Sequence, residues 1–480
     1  MMNVVWVEKG ETKTGVDLAI GYEMIVYSGG TASNTTVNEY SQLIVYSGGT
    51  AKVTTVKEDG RLTVCDGAKA TGITADSGAW LYFDVAPGTE VQGTYDGSAF
   101  EIKDSVADGF TIYDYCELTV SSGGTAKVTT VKENGRLYVS NDGTATEATV
   151  KGNGKLLVSS GGTATGITAD AGALLFFDVA PGTDVQGTYD GSAFEIKDGI
   201  FDGGAVYNNC TFTVRDGGKA TNTEIHYNAK LHVTHGGLVD KTTVNDGAEF
   251  VISSSGTAKE TTVKTGGRLY VFHDGTASNT TVNDGGELTV SNGGIASNVT
   301  VKSNGIFRLF GKVTGRMDFD DGATISAIED NGVPVLDFDL MQTTAGAEAL
   351  VSTLAVIVGT PRYTLTVDGT QADGVYNLAG NAADFDKTIT VRTTSVEFGT
   401  LTVGGKSFYK DGRSYTLAVT DSTLSITLGT LPDNIFCGDM ENAEKHIYAG
   451  SSAVDVNVNS KGQLYIHDGG VAIKDRKSVV

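Results

Sequence analysis

The chain repeats itself every nineteen residues, and this period limits its fold more than any other feature. Each unit begins with a two-residue turn, most often Gly-Gly, which is followed by the same apolar pattern. The first turn residues form three runs: Gly29, Gly48 and Gly67; Gly123, Asp142 and Gly161; and Gly217, Gly236, Ser255, Asp274 and Gly293. Fifty-six residues, three periods less one, separate one run from the next. A fixed period of this size predicts one short structural unit stacked many times.

Apolar residues recur at three positions of the unit, counted from its first turn residue. Eight residues on are Val37, Val56, Val131, Val150, Ile225, Val244, Val263, Val282 and Val301. Fourteen residues on are Leu43, Leu62, Leu81, Leu137, Leu156, Leu175, Leu231, Phe250, Leu269, Leu288 and Phe307. Sixteen residues on are Val45, Val64, Phe83, Val139, Val158, Phe177, Val233, Ile252, Val271, Val290 and Leu309. Positions fourteen and sixteen alternate as in a strand with one buried face, and glycine-rich pairs supply the turns.

These units predict an all-β fold, a right-handed parallel β-helix (β-solenoid) with one rung of about nineteen residues per period. Nineteen extended residues span at most about 63 Å, which is enough for one flattened circuit but not for a separate domain. Stacking places like residues in continuous internal columns and pairs each strand with the rungs above and below. Gly10 to Gly293 would then be fifteen rungs, or about 72 Å at ~4.8 Å per rung.

The period divides the chain into three predicted parts. Repeats occupy residues 1–312, and a β-rich module, an insert or a cap, occupies 313–432. The stretch Ala345–Val358 within that module is predicted to be a short helix. Residues 433–480 resume the repeat, because Gly450 and Gly469 restore the nineteen-residue spacing.

Both ends of the sequence fall in the middle of a unit. Val5 and Val7 already occupy second-strand positions, and Gly469 starts a unit that does not finish. We therefore expect the sequence to be a piece of a longer protein, which makes the missing signal peptide uninformative. No run of eighteen apolar residues predicts a transmembrane helix.

Charge and cysteine content exclude several classes of protein. A formal net charge of −23 argues against nucleic acid or an anionic membrane as partner. Cys116 and Cys210 occupy the same position of a duplicated unit, and five rungs would separate them by about 24 Å. A disulfide requires Cα atoms within about 7 Å, so this pair cannot form one within the chain. The same argument disfavours a bond between Cys65 and Cys116, and no Cys-x-x-Cys spacing predicts a metal site.

Threonine fills position seven in ten of twelve units. These residues are Thr36, Thr55, Thr74, Thr130, Thr149, Thr168, Thr243, Thr262, Thr281 and Thr300. Because position eight is buried, position seven should point outward and form a column of hydroxyls about 4.8 Å apart. The simpler interpretation is high β-propensity with a hydroxyl ladder. The functional interpretation is a stripe that accepts glycans or mediates self-association.

Other polar residues predict little chemistry. Turn geometry explains sequences such as Asn283-Asp284-Gly285 without calcium, and His235 and His273 would lie about 10 Å apart, too far to share a metal. We interpret the acidic clusters, Asp318 with Asp320 and Asp321, and Asp337 with Asp339, as solvated edges. No Ser-His-Asp, Cys-His or phosphate-loop arrangement is apparent, and no cofactor is predicted.

The unit Gly-Gly-Thr-Ala-x-x-Thr-Thr-Val followed by Gly-Arg-Leu-x-Val resembles the repeat of AIDA-type autotransporter passengers, surface proteins of Gram-negative bacteria. The resemblance covers residues 1 to about 312 and 445 to 473. It implies a β-helical passenger at the cell surface, associated with the outer membrane through parts outside this chain. It also implies adhesion to a host or neighbouring-cell surface, whether protein or glycan, or self-association. Some members of the family carry heptose on Ser and Thr.

We therefore expect a non-enzymatic passenger segment that mediates adhesion or self-association through a repetitive face. Two alternatives remain open. One is a carbohydrate-active β-helix enzyme, which would need clustered carboxylates on one face. The other is a structural stalk that presents the module at 313–432.

Overall fold

The computed structural model describes residues 3–327, 333–410, 413–431, 435–440, 444–447, 451–458, 463–466, 468, 470–473 and 476–477. These residues form strands, turns and irregular segments, together with one 3-10 helix at Leu340–Gln342. The chain divides into two compact units, Met1–Tyr270 and Val271–Val480.

The first unit is built from short strands. They are β1 (Asn3–Val7), β2 (Thr12–Thr14), β3 (Asp17–Leu18), β4 (Tyr22–Val26), β5 (Thr31–Val37), β6 (Gln42–Val45), β7 (Thr50–Val56), β8 (Arg61–Val64), β9 (Lys69–Ala75), β10 (Trp80–Val85), β11 (Glu90–Tyr95), β12 (Ser98–Lys103), β13 (Val106–Asp108), β14 (Thr111–Ile112), β15 (Glu117–Val120), β16 (Thr125–Lys127), β17 (Thr130–Val131), β18 (Arg136–Val139), β19 (Thr144–Thr146), β20 (Thr149–Val150), β21 (Lys155–Val158), β22 (Thr163–Ala169), β23 (Leu174–Val179), β24 (Asp184–Tyr189), β25 (Ser192–Lys197), β26 (Ile200–Asp202), β27 (Ala205–Val206), β28 (Thr211–Val214), β29 (Lys219–Ile225), β30 (Lys230–Val233), β31 (Leu238–Val244), β32 (Glu249–Ile252), β33 (Thr257–Val263) and β34 (Arg268–Val271).

Two parallel sheets organise these strands into rungs. The leucine sheet contains the strands with positions fourteen and sixteen, as where β6 pairs with β8 and Leu43 lies opposite Leu62. The threonine sheet contains the strands with positions three to eight, as where β5 pairs with β7 and Thr36 lies opposite Thr55. Paired residues in regular rungs are nineteen apart, so the prediction of a β-solenoid with nineteen-residue rungs is confirmed. Right-handed winding remains a prediction.

The core lies between the two sheets. Every residue of the three predicted apolar columns is at most 4% exposed, which confirms that they are internal. Position three forms a further buried column that the sequence analysis missed: Ala32, Ala51, Ala70, Ala126, Ala145, Ala164, Ala220, Val239, Ala258, Ala277 and Ala296. Its small side chains gave no apolar signal, although Ala recurs there as regularly as Val does at position eight.

A backbone kink at position five explains how positions three and eight both face inward. All eleven residues at this position have positive φ: Asn34, Val53, Gly72, Val128, Glu147, Gly166, Asn222, Lys241, Glu260, Asn279 and Asn298. A strand that alternates strictly would turn positions three and eight to opposite faces. The left-handed residue between them shifts the alternation by one, so that positions three, six and eight all point into the core.

Each gap of fifty-six residues contains an antiparallel hairpin inserted into the threonine sheet. In the first gap, β12 pairs in antiparallel fashion with β11 on one side and β13 on the other. The leucine sheet has no such insertion, because β10 pairs directly with β15. The gap therefore adds two rungs to the leucine sheet, rather than the three that its length suggests.

The second hairpin changes the predicted distance between Cys116 and Cys210. In the leucine sheet, β15 is followed by β18, β21, β23 and β28, and β23 pairs directly with β28. These are four strand spacings, or about 19 Å at ~4.8 Å each. The predicted five rungs and 24 Å were wrong because twenty or so residues of each gap form the hairpin. The pair still lies beyond disulfide reach, and both cysteines are free thiols.

The second unit continues with β35 (Thr276–Val282), β36 (Glu287–Val290), β37 (Ile295–Val301), β38 (Ile306–Leu309), β39 (Lys312–Phe319), β40 (Thr324–Ala327), β41 (Val335–Asp339), β42 (Ile357–Gly359), β43 (Arg362–Thr366), β44 (Gly374–Ala379), β45 (Ile389–Arg392), β46 (Glu397–Leu401), β47 (Phe408–Lys410), β48 (Arg413–Thr420), β49 (Thr423–Thr430), β50 (Ile435–Met440), β51 (Glu444–Ile447), β52 (Ser452–Val458), β53 (Gln463–Ile466), β54 (Val471–Ile473) and β55 (Arg476–Lys477).

Parallel pairing continues past residue 312, where the sequence period ends. Strands β37, β39, β41, β43 and β45 pair in succession, all in parallel. Antiparallel pairing then takes over, with β46 on β45 and a four-stranded sheet of β44, β49, β48 and β47. Farther along, β51 pairs with β53 in parallel at a nineteen-residue offset.

The predicted helix at Ala345–Val358 is wrong. Val351 instead bridges Met317 and Ala379 in parallel fashion, and the segment ends in β42. The amide of Met317 donates to the Leu350 carbonyl at 2.7 Å, and the amide of Ser352 donates to the Met317 carbonyl at 2.8 Å. Because these bonds join neighbouring rungs rather than residues four apart, the segment is a short irregular rung.

Candidate functional site

The position-seven column faces outward from the threonine sheet. Each of its ten predicted threonines is partly or fully exposed, whereas the neighbours at positions six and eight are buried. Thr74 and Thr168 are the most open, and both lie next to a hairpin. Within the described part of the chain, no side-chain hydrogen bond engages the ten hydroxyls, which leaves them available to solvent or a partner. We call this surface the threonine face.

Strand pairing joins the threonines into ladders. One ladder of the first unit contains Thr36, Thr55 and Thr74, and a second contains Thr130, Thr149 and Thr168. Thr243 pairs with Thr262 in that unit, and Thr281 pairs with Thr300 in the second. Partners in adjacent parallel strands lie about 4.8 Å apart. The arrangement can present a row of regularly spaced hydroxyls, each both a donor and an acceptor.

Three further threonines belong to this face. Thr94 pairs with Thr74, Thr111 with Thr130, and Thr188 with Thr168. Thr94 and Thr188 lie twenty residues after their partners, one more than the period, and Thr111 lies nineteen before Thr130 in a unit that the count from turn residues did not include. The near-identical copies of the hairpin, ninety-four residues apart, place Thr94 and Thr188 at equivalent positions and could have revealed them.

Position six holds a second, buried column of threonines that the sequence analysis also missed. Thr35, Thr54, Thr242, Thr261 and Thr280 are each 1% exposed. Their Oγ1 atoms find no hydrogen-bond partner in the part of the chain that the structure describes. Val299, Ile73 and Ile167 fill the same position in other units. These threonines serve as β-branched core residues, and their hydroxyls stabilise nothing.

The two acidic clusters have different environments. Asp318 accepts a hydrogen bond from the Arg316 Nε at 2.9 Å, Asp320 lies 3.6 Å from the Lys302 Nζ, and Asp321 is exposed. These contacts agree with solvated edges.

Asp337 and Asp339 do not lie at a solvated edge, so that prediction was wrong for them. Asp337 is 1% exposed, forms an ion pair with the Lys312 Nζ at 2.7 Å and accepts bonds from the hydroxyls of Thr364 and Thr366 at 2.6–2.9 Å. Burial raises the pKa of Asp339, with the charge of Asp337 adding to the effect, while a hydrogen bond from the Met341 amide opposes it. The Asp337 carboxylate is fully engaged by the Lys312 ion pair and the threonine hydrogen bonds. The pair Asp337 and Asp339 therefore fits a structural role better than acid–base catalysis.

The remaining candidate groups are isolated. His235 lies in a turn with positive φ next to the Thr234 hydroxyl, and the exposed His273 Nδ1 lies 3.0 Å from a carboxylate oxygen of Asp274. Burial raises the pKa of Cys116 to about 11 and that of Cys210 to about 12, so both thiols stay protonated at neutral pH. No group of three or more His, Cys, Asp or Glu among the described residues is placed to hold a metal ion.

The fold and its outward face define a class: a β-solenoid built from a repeated strand-turn-strand unit. A family model described as "Adhesin of bacterial autotransporter system, probable stalk" matches residues 26–79, 92–151 and 245–305. The repeats in these three segments, which make up less than half of the chain, are therefore similar to the AIDA family of autotransporter adhesins, as their sequence predicted. The described residues include no helix with the length and apolarity needed to cross a bilayer.

The comparison with solved structures returns a hyper-glycosylated fragment of TibA, residues 55–350, modified by TibC. It is 26% identical in sequence and covers 67% of this chain and 91% of its own, with a TM-score of 0.28. A TM-score this low supports no structural argument. No match was found among curated proteins.

Proposed function

We propose that this chain is a non-enzymatic surface segment that mediates adhesion or self-association through the threonine face. The observation that carries the proposal is the stack of outward hydroxyls in register on successive rungs, on repeats whose family is described as an adhesin. Each rung contributes little, but a row of rungs engages a matching row many times, and multivalency multiplies weak contacts into avidity. The partner is a host or neighbouring-cell surface, or another copy of the chain.

The same geometry supports a second use of these hydroxyls as glycan acceptors. The threonines are open to solvent and have no intramolecular partner in the described residues. Mass spectrometry of the protein from its native host tests this role. Unmodified peptides across Thr55, Thr130 and Thr149 would eliminate it and leave the unmodified hydroxyls as the binding surface.

Aggregation of coated beads tests the self-association directly. Thr55→Asp with Thr149→Asp places carboxylates on the face of a chain that already carries a net charge of −23, so facing copies should repel one another. The matched control is Thr63→Asp with Thr213→Asp, which adds the same charge to the outer side of the leucine sheet. Beads carrying the first variant should stay dispersed at physiological salt, whereas the control beads should aggregate like those with the original chain.

Two outcomes would contradict the proposal. If both variants aggregate equally, the threonine face is not the contact surface, and the stalk role suggested by the family description gains support. If the purified chain degrades an acidic or neutral polysaccharide and Asp320→Ala abolishes turnover, the protein is an enzyme. Exposed Asp320 tolerates that change structurally, so the result would be interpretable.

A further inference from the structure

Two matching grooves lie where the antiparallel hairpins enter the threonine sheet. One spans β9, β11, β12 and β13, and the other spans the equivalent strands of the second copy. Each has a volume of about 590 Å³. Every residue that lines the first groove has a counterpart ninety-four residues later in the second. The same concave surface therefore occurs twice in the molecule.

Glycine shapes the floor of each groove. A β-bulge shifts the register between Gln92 and Gly93, and a β-carbon on Gly93 would lie only 2.5 Å from the Ile73 carbonyl oxygen. The equivalent atom on Gly187 would lie 2.3 Å from the Ile167 oxygen. Only glycine fits there, because Gly93 faces the core between its pairing partners Ile73 and Phe100 and a side chain would clash with them. Phe100 packs beneath this floor against Phe83, with ring centroids 5.6 Å apart.

Polar side chains form the walls. In the first groove, Gln92 lies opposite Glu101 across the hairpin, and Thr74, Thr94 and Asp108 complete the rim. All five side chains are at least partly exposed. Within the described residues, Gln92 and Glu101 make no side-chain hydrogen bond or ion pair. An amide, two carboxylates and two hydroxyls thus line a concave surface that offers both donors and acceptors.

The second groove carries the same groups, but neighbouring side chains engage one of its carboxylates. Hydrogen bonds from Thr221 and Asn222 engage Asp202 and hold the pKa of its carboxyl below the usual value. Glu195 is then its remaining free carboxylate. In the first groove, Lys127 lies in register beside Asp108 on the next strand. Each groove also contains an amide and two threonine hydroxyls, so it offers hydrogen-bond donors beside its two carboxylates.

We infer that the two grooves bind neutral glycans, each holding one short stretch of sugar units by hydrogen bonds to their hydroxyls. A sugar hydroxyl is both donor and acceptor, and it therefore satisfies an amide and a carboxylate placed side by side. The carboxylates disfavour sulfated or uronic-acid chains. This inference rests on the proposed adhesive function and assigns it a ligand class and a site where the hairpins meet the threonine face, away from Thr55 and Thr149.

The duplication adds a length requirement. From β11, the path to β24 runs through β12, β13, β16, β19 and β22. This path has six strand spacings, at most about 29 Å at ~4.8 Å each, whereas the leucine sheet has four spacings, about 19 Å, between the same two copies, so the grooves lie about 19–29 Å apart. A polymer that reaches this far occupies both grooves at once, so it gains avidity that a short oligosaccharide cannot.

Titration calorimetry on the full chain tests the inference, with cello-, manno- and galacto-oligosaccharides as probes and the parent neutral polysaccharides as long ligands. At least one oligosaccharide should bind two equivalent sites per chain. Gln92→Ala should weaken one of the two sites by about ten-fold, the value of a lost hydrogen bond, and Gln92→Ala with Gln186→Ala should weaken both. With one groove disabled, affinity for the matching polysaccharide should fall on the order of a hundred-fold.

A groove-filling pair, Ala99→Trp with Ala193→Trp, tests the site independently, because both alanines are exposed on the inserted strands. It should abolish binding while the far-UV circular dichroism stays unchanged. Failure of every neutral saccharide to bind, or full binding by the filled variant, would overturn the inference. Binding of polylysine alone, lost in Glu101→Gln with Glu195→Gln, would show a cationic peptide site instead.

The charge variants of the threonine face separate this inference from the proposed self-association. Thr55→Asp with Thr149→Asp should leave saccharide binding intact, because neither residue lines a groove. Aggregation lost with saccharide binding retained supports both proposals. Saccharide binding without any bead aggregation would remove self-association alone, and aggregation without saccharide binding would remove the grooves alone.

Discussion

Replacing Thr261 with valine should stabilise the first unit, although it removes a hydrogen-bonding group. The Thr261 side chain is 1% exposed and its hydroxyl has no partner in the described residues. A buried hydroxyl left unpaired costs about 1–3 kcal/mol, and valine has nearly the same shape. Val299 occupies the equivalent position in another unit without exposure, so the methyl group fits. We expect the free energy of unfolding to rise by about 1–2 kcal/mol.

Thr223 supplies the matched control. It is equally buried at the same position, but its hydroxyl donates to the Thr221 carbonyl at 3.3 Å. Thr223→Val therefore loses a weak hydrogen bond as well as the desolvated hydroxyl, and the two effects should nearly cancel.

Native-state hydrogen exchange suits this comparison, because stacked repeats need not unfold in one step. Exchange of the amides in β31 and β33 in increasing urea gives the opening free energy of the rungs that hold Thr261. Slower exchange in Thr261→Val than in the original chain would agree with the prediction. Destabilisation of Thr261→Val, or an equal gain in Thr223→Val, would refute it and show that the Thr261 hydroxyl has a partner.

Three other substitutions test features of the rungs. Val128 has a φ of +49°, where a β-branched side chain is strained by about 1–2 kcal/mol, so Val128→Asn should raise the urea midpoint. Asp337→Ala leaves the Lys312 ammonium without its carboxylate and should lower the stability of the second unit by about 3 kcal/mol in urea unfolding, since Lys312 can be partly hydrated. Burial raises the pKa of Asp339 in the folded protein above its value in the unfolded chain. The contribution of this carboxyl to the free energy of unfolding is therefore fully present below the unfolded-state pKa, and it is lost as pH rises through the folded-state pKa. Asp339→Asn keeps an acceptor for the Met341 amide and should therefore gain stability over the original chain as pH rises from about 4 to 7.

Each of these substitutions has a clear contrary result. A lower urea midpoint for Val128→Asn would mean that packing of the valine outweighs the backbone strain. No loss of stability in Asp337→Ala would mean that the ion pair contributes nothing net. A difference between Asp339→Asn and the original chain that does not change with pH would mean that the carboxyl titrates normally in the folded state.

The sequence predicts the regular rungs well, because each rung repeats the environment of its neighbours. Val37 and Leu43 are buried for the same reason as every other residue in their columns, so periodicity alone identifies them. The same regularity placed Thr55 on the outer surface. Local alternation fails at position five, where Asn34 and Val53 adopt positive φ, and this is why the buried threonine column was missed.

The sequence predicts less where contacts are not local. The ninety-four residues between Cys116 and Cys210 correspond to five rungs if every residue belongs to a regular rung. The sequence does not show that part of this segment forms an antiparallel hairpin within one sheet, which leaves only four rungs. Asp337 looks like a surface carboxylate because its partners, Lys312 and Thr364, lie more than twenty residues away. The Ala345–Val358 stretch has residues that suit a helix, yet the neighbouring rungs offer its backbone better hydrogen bonds. In each case, pairing between distant segments overrides the local pattern.

The rung stack itself is the central claim, since the threonine face and both grooves depend on it. Spin labels at Thr119 and Thr211 measure it directly, because these residues lie on the outer side of the leucine sheet in one column through Tyr138, Leu157 and Phe176. Four strand spacings predict a backbone separation of about 19 Å by pulsed electron paramagnetic resonance. A separation near 24 Å would indicate five rungs and contradict the inserted hairpin, and a broad distribution of distances would contradict the solenoid.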